Sequence, residues 1–201
     1  MSNIQDGKLI DSRVTLKISS TIERGALAKV NALVIHQTGA STAESTLSSY
    51  KGKSNGAHFL VDKDGTIYQT ARVTQMTYHV GKIKSRCLET HACTEAEEKD
   101  AKGVLFAKGK SFVTRKDDLS AFEAKKEFPN RYPMNSDSVG IELVGETNKE
   151  GAYVTPTAAQ TSALKFLVGE LQAQLGLQTT EVFRHPEVSY KQPSEAKGAA
   201  W

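Results

Sequence analysis

Cysteine is nearly absent from this 201-residue sequence: only Cys87 and Cys93 occur, set in a charged stretch. Their spacing is not the tight Cys-x-x-Cys of a zinc knuckle or a redox motif. Two readings stay open, a small disulfide-closed loop, which persists only in an oxidising compartment, and a pair of incidental thiols. Long apolar runs are missing too. Met1 to Lys17 is polar and charged, without the apolar centre of a secretory signal, and no run elsewhere is long enough to span a bilayer. The expectation is a soluble chain made in the cytosol with no membrane partner. A specialised secretion machine or phage-driven lysis must carry it if it acts elsewhere. Charge of one sign is scarce, with a formal net of +3, and neither basic stripes with interleaved aromatics nor a nucleic-acid motif appears. That leaves a nucleic-acid role unsupported, while a mild positive balance tolerates an anionic polymer such as a cell wall. There is no Gly-x-Ser-x-Gly elbow, and neither cysteine sits in a nucleophile context, which argues against a serine or cysteine hydrolase. Internal repeats and low-complexity tracts are also absent.

What is present suits one globular domain with a core large enough to need no disulfides. Val30 to His36 is short, apolar and rich in β-branched residues, and it stops at a polar Gln-Thr-Gly turn, as a buried strand does at a sheet edge. Ser41 to Tyr50 reads as a modest helix, followed by a Gly-Lys-Ser-Asn-Gly loop. His58 to Val61 and Thr66 to Gln69 flank Asp62-Lys63-Asp64-Gly65, whose Asp-Gly suits a tight hairpin. Ser138 to Val144 is a further strand, in which Gly140 marks a close backbone approach. Thr155-Pro156 reads as an N-cap and first-turn proline for a helix carrying Leu164, Leu167, Leu171 and Leu175 and ending at Gly176. A strand over Thr180 to Phe183 then leads into Arg184-His185-Pro186. The Lys- and Glu-dense segment from Lys82 to Asp137, with a capping box at Thr94 and Glu97, reads as a helical insertion, either a solvated decoration or a wall of a substrate groove. The fold class expected is α/β, a single domain with a central mixed sheet flanked by helices, with residues 1–29 as an extension, 30–201 as the domain and about 82–137 as the insertion.

Five histidines are the chemical signal: His36, His58, His79, His91 and His185. His36 and His185 stand at predicted strand ends, where side chains from separate elements converge. A catalytic zinc takes three ligands from His, Cys, Asp or Glu and keeps a fourth position open. Two histidines alone fit ordinary hydrogen bonding within a core or at its rim better than a metal site.

The stretches around them resemble the zinc-dependent N-acetylmuramoyl-L-alanine amidase family, which includes peptidoglycan recognition proteins. The resemblance runs through VIHQTG (34–39), AHFLVDKDGTIYQ (57–69), YHVGK (78–82), SVGIELVGE (138–146), the helix after Thr155 and RHPEVSYKQPSE (184–195). It implies Zn2+ as cofactor, with His36 and His185 as its first two ligands. The family's third ligand is a Cys or Asp about eight to ten positions past the second histidine. Here the sequence departs, because neither occurs after His185; Glu195, ten positions on, is the carboxylate assigned to the role, ahead of the nearer Glu187. The resemblance further assigns Glu142 as the residue that activates water, Lys191 as a cation for the developing oxyanion, and His79 to the substrate groove. His58 is read as structural and His91 as a surface residue.

The implied reaction is hydrolysis of the amide between N-acetylmuramic acid and L-alanine in peptidoglycan, with peptidoglycan or a muropeptide as partner. An antibacterial effector or lysin, for which an immunity protein is a further partner, is the context preferred here. Two alternatives compete, a non-catalytic peptidoglycan recognition module and a cytosolic amidase that recycles anhydro-muropeptides.

Overall fold

The computed structural model describes residues 2–52 and 55–201. Its centre is a six-stranded sheet built from β3 (Val14–Leu16), β4 (Ala32–Gln37), β5 (Phe59–Val61), β6 (Ile67–Gln69), β7 (Ser138–Leu143) and β8 (Val182–Arg184), in the order β3-β6-β5-β7-β4-β8. Every neighbouring pair is parallel except the β5–β6 hairpin, so the sheet is mixed, as expected. The Gly-Lys-Ser-Asn-Gly loop anticipated before β5 lies partly outside the described residues, at Lys53 and Ser54.

Strand alternation divides the two faces of this sheet. Leu33 and Ile35 of β4 and Ile141 and Leu143 of β7 pack in one cluster with Leu164, Leu167 and Leu171 of helix α5 (Ala158–Leu175). Each of those leucines is fully buried, and replacing one by alanine costs about 2–5 kcal/mol in such a site. On the opposite face Val34 meets Val80, Ile83, Tyr132 and Val188. His36 and Glu142 share that second face by the same period of two.

Two expectations of the sequence are displaced. Helix α5 is capped by Thr157, not Thr155: the Thr157 hydroxyl accepts from Gln160 N–H while the Gln160 side chain returns to Thr157 N–H. This reciprocal pair satisfies two orphan donors at once, which an N-cap at Thr155 followed by proline cannot match. The last strand covers Val182–Arg184 rather than Thr180 to Phe183, because its register is set by Leu33, Val34 and Ile35 of β4.

The amino-terminal segment holds more structure than its polarity suggested. Strands β1 (Asn3–Gln5) and β2 (Lys8–Ile10) form a hairpin through Asp6-Gly7, both at positive φ, and β3 adds to the main sheet beside β6. Helix α1 (Ala43–Ser49) follows β4, and the charged segment carries helices α2 (Arg86–Glu89), α3 (Glu95–Leu105) and α4 (Phe112–Glu123), with the Thr94–Glu97 capping box formed. Cys87 and Cys93 are joined as a disulfide at its base. Among the described residues no helix is long and apolar enough to cross a membrane.

Candidate metal centre

Parallel strands gather functional side chains at their carboxyl ends, where the sheet leaves a crevice. His36 lies next to the last residue of β4, Glu142 next to the last of β7, and His185 begins the short helix α6 (His185–Val188) directly after β8. The β4–β7 register sets His36 opposite Glu142. These residues line a cleft of about 800 Å³, together with Tyr78, His79, Lys191 and Glu195.

At its floor three side chains converge. His185 Nδ1 lies 2.8 Å from His36 Nδ1 and 2.8 Å from Glu195 Oε1, and His36 Nδ1 lies 3.5 Å from the same carboxylate oxygen. All three residues are buried. Among the described residues this is the group of three or more metal-ligating side chains close enough to hold one ion. His185 Nε2 is 2.8 Å from the Val80 carbonyl, which can only accept, so that nitrogen carries a proton and Nδ1 is the nitrogen turned toward the cluster. Glu187 takes no part; it caps α6 and pairs with Arg184.

The electrostatics suit a cation. Burial alone would raise the Glu195 carboxyl, but its close contacts with the His185 and His36 rings, and their charge when protonated, outweigh it and hold the group at about 2. Burial, reinforced by the charge of His185, lowers His36 to about 4. At neutral pH Glu195 is therefore ionised and His36 neutral, the states in which metal ligation uses them. Two imidazole nitrogens and a carboxylate oxygen form an ordinary donor set for zinc.

Glu142 faces this cleft, while Ile141 and Leu143 on either side face the core. Burial raises its carboxyl above the usual range; the hydroxyl of Tyr50, donating to Oε2 at 2.8 Å, acts the other way. Tyr50, which the sequence reading did not single out, is thus the partner of the candidate base. It closes the predicted helix before β5, and its ring is buried with Ile22 and Ala71. Only a polar tip on an apolar body, reaching Glu142, distinguishes it, and a sequence does not show that. Its hydroxyl also accepts from Ala57 N–H at 3.3 Å, and its carbonyl is held by Ser19 and Thr21.

Lys191 is exposed at the cleft rim, near enough for its charge to lower His36. His79 lines the cleft with Nδ1 3.0 Å from His36 Nε2 and Nε2 close to Ser138. Burial, then the charges of His36, His58 and His185, push it well below its usual range. His58 is wholly buried beneath: Nδ1 accepts from Gly140 N–H at 3.0 Å and Nε2 donates to the Gln75 carbonyl at 2.8 Å, as a structural histidine should. His91 is exposed and stands apart from the cluster. Lys82, Ser120 and Asn135 bring the charged segment to the cleft wall.

The chain matches the N-acetylmuramoyl-L-alanine amidase family over residues 26–197. Solved structures similar to it include a selenomethionine derivative of AmpD, at 15% identity and TM-score 0.57, covering 98% of this chain and 94% of that one. The catalytic domain of XlyA is similar at 17% identity and TM-score 0.51, covering 89% and 87%. AmpDh3 from Pseudomonas aeruginosa is similar at 14% identity and TM-score 0.51, covering 79% of this chain and 51% of that one. At these identities the likeness is one of fold. Among curated proteins none matches the chain in sequence.

Proposed function

The chain belongs to the N-acetylmuramoyl-L-alanine amidase family, and from that premise we propose that it hydrolyses the lactyl–L-alanine amide of bacterial peptidoglycan with zinc held by His36, His185 and Glu195. The observation that carries this reading is the convergence of two imidazole nitrogens and one carboxylate oxygen, with the far nitrogen of His185 already committed to a backbone carbonyl. An intact three-residue donor set favours an enzyme over a recognition module. When bound there, zinc supplies a Lewis acid and acidifies water.

The chain's own residues supply the rest. Glu142 sits one strand away from His36 with Oε2 occupied by Tyr50, so proton traffic falls to Oε1. It accepts the proton of the attacking water as the oxygen–carbon bond forms, then delivers it to the alanine nitrogen as the carbon–nitrogen bond breaks. Lys191 offers positive charge to the oxygen on which negative charge develops. The hydrophobic wall around Val34, Val80 and Val188 keeps bulk water from one side of the cluster.

Purified protein should hold about one zinc per chain and release stem peptide from sacculi in a chelator-sensitive way. Glu142→Ala should retain the metal while turnover falls by about 10²–10⁴-fold. Unchanged turnover would remove Glu142 from the mechanism, and sacculus binding without metal would favour recognition alone.

The setting we infer is the periplasm of a target cell, reached by a secretion machine, as an antibacterial effector with an immunity partner. The Cys87–Cys93 disulfide supports an oxidising destination. Lysis on expression with a periplasmic signal, and none without it, is the expected result; a cytosolic recycling enzyme would lyse in neither arm.

A further inference from the structure

We propose that His79 and Val80, clamped by Asn135, form a brace that fixes the tautomers of both histidines at the candidate metal centre, and that His79 is a positioning residue rather than a substrate contact. The inference rests on reading His36, His185 and Glu195 as a zinc site.

It follows from donors and acceptors. Ser138 Oγ donates its one proton to the Met134 carbonyl at 2.6 Å, so toward His79 it can only accept. The Ser138 carbonyl on the same side is an acceptor as well. Both groups facing His79 Nε2, at 3.3 and 3.4 Å, are thus acceptors, and Nε2 carries the proton. In the neutral ring Nδ1 then holds a lone pair, and its neighbour His36 Nε2, 3.0 Å away, must donate. A neutral His36 protonated at Nε2 turns the lone pair of Nδ1 toward His185 and Glu195, as a ligand must. The tautomer of this histidine is therefore set, through two intermediaries, by the backbone carbonyl of Met134.

The second histidine is fixed from the adjoining residue, since His185 Nε2 donates to the Val80 carbonyl at 2.8 Å. One dipeptide thus holds the rear nitrogens of both imidazoles. Asn135 Oδ1 accepts from His79 N–H at 2.9 Å and from Val80 N–H at 2.8 Å, locking the dipeptide in place. Gly140 makes room for the brace, because a Cβ there would lie 2.7 Å from His79 Nδ1. The YHVGK, Asn135 and SVGIELVG segments, distant in sequence, act on the cluster as one support.

The test reads tautomers and metal separately. Long-range proton–nitrogen-15 spectra of the metal-free protein should show His36 and His79 protonated at Nε2. Zinc affinity, measured by competition with a chromophoric chelator, should fall about 10–100-fold in His79→Ala and in Asn135→Leu. His79→Asn keeps an acceptor oxygen near the position of Nδ1 and should recover most of that loss, with the melting temperature of each metal-free variant confirming folding. His36 protonated at Nδ1 in the wild type, or wild-type affinity in folded His79→Ala, would overturn the proposal. A wild-type chain that binds no zinc would overturn the metal reading itself, while the spectra would still decide the tautomers.

Discussion

Replacing Tyr50 with phenylalanine isolates one hydrogen bond at the candidate base. The ring keeps its place with Ile22 and Ala71, while the hydroxyl that donates to Glu142 Oε2 at 2.8 Å is lost. Hydrogen bonds to a charged group contribute about 1.5–3 kcal/mol. With about 1.36 kcal/mol per factor of ten, the carboxylate of Glu142 becomes about 10- to 150-fold less favoured relative to its acid form. The sign follows directly. Burial raises this carboxyl, the Tyr50 hydroxyl lowers it, and removing the hydroxyl raises it further. A general base must be ionised, so the acid limb of kcat/KM should move to higher pH, with turnover recovering on the alkaline side. The assay is hydrolysis of a soluble muropeptide followed by chromatography of the released peptide across a pH series. Ala57 N–H also loses its acceptor, so a stability loss of about 1–3 kcal/mol should accompany the change. An acid limb left where the wild type has it, or an equal loss at every pH, would refute the assignment of Tyr50 and Glu142 as a coupled pair.

Lys191→Met should lower kcat by about 10²–10³-fold with KM little changed, since a charge that serves the developing oxyanion acts in the transition state; an effect confined to KM would make it a substrate anchor. His58 should impose an acid limit on stability. Burial lowers it to about 4 from 6.5, so the unfolded chain binds its proton first; the stability it contributes is whole above pH 6.5 and is lost as pH falls toward 4. The span corresponds to about 3 kcal/mol. Urea unfolding of wild type and His58→Asn through that window measures it, and parallel curves would exclude His58 as the source. Gln37→Leu should weaken zinc binding by about 10-fold or more without moving either histidine, as isothermal titration would show. Unaltered affinity would mean that Glu195 is positioned without help from Gln37.

The elements that periodicity marks best are those nearest the site. The apolar run ending at His36, the Asp-Gly hairpin and the strand around Glu142 form the centre of the sheet, because buried central strands combine β-branched composition with sharp turn punctuation. Gly140 was legible as a close approach, although the sequence could not say that a histidine ring approaches it. The amino-terminal hairpin carries the same Asp-Gly signal as the one read correctly. Periodicity does not mark it, because its strands are three residues long with Leu9 alone fully buried, so alternation has no length over which to appear. The Thr157 cap lost to a more conspicuous Thr-Pro pair. Tyr50 and Asn135 act through a single polar atom each, and no pattern of residue types announces where one atom points.

The late carboxylate shows how a candidate ligand can be supplied from irregular backbone. Glu195 lies in no helix or strand, and its own turn, with Glu195 N–H donating to the Gln192 carbonyl at 2.9 Å, fixes little by itself. The restraint comes from Gln37, the residue after the first histidine, whose side chain points to the opposite face of β4. Its Oε1 accepts from Ala196 N–H at 2.9 Å and its Nε2 donates to the Val154 carbonyl at 2.8 Å. Gly145 admits this side chain, since a Cβ there would come within 2.4 Å of Gln37 Nε2. On the other flank Tyr153 N–H donates to Ser194 Oγ at 3.1 Å. The backbone on both sides of Glu195 is therefore tied down before its side chain is considered. A glutamate, one methylene longer than the aspartate that the family resemblance led one to expect, can then reach His185 from a position whose backbone is already set. What the sequence presented as a departure in residue type becomes, in the fold, a matter of reach from a fixed anchor.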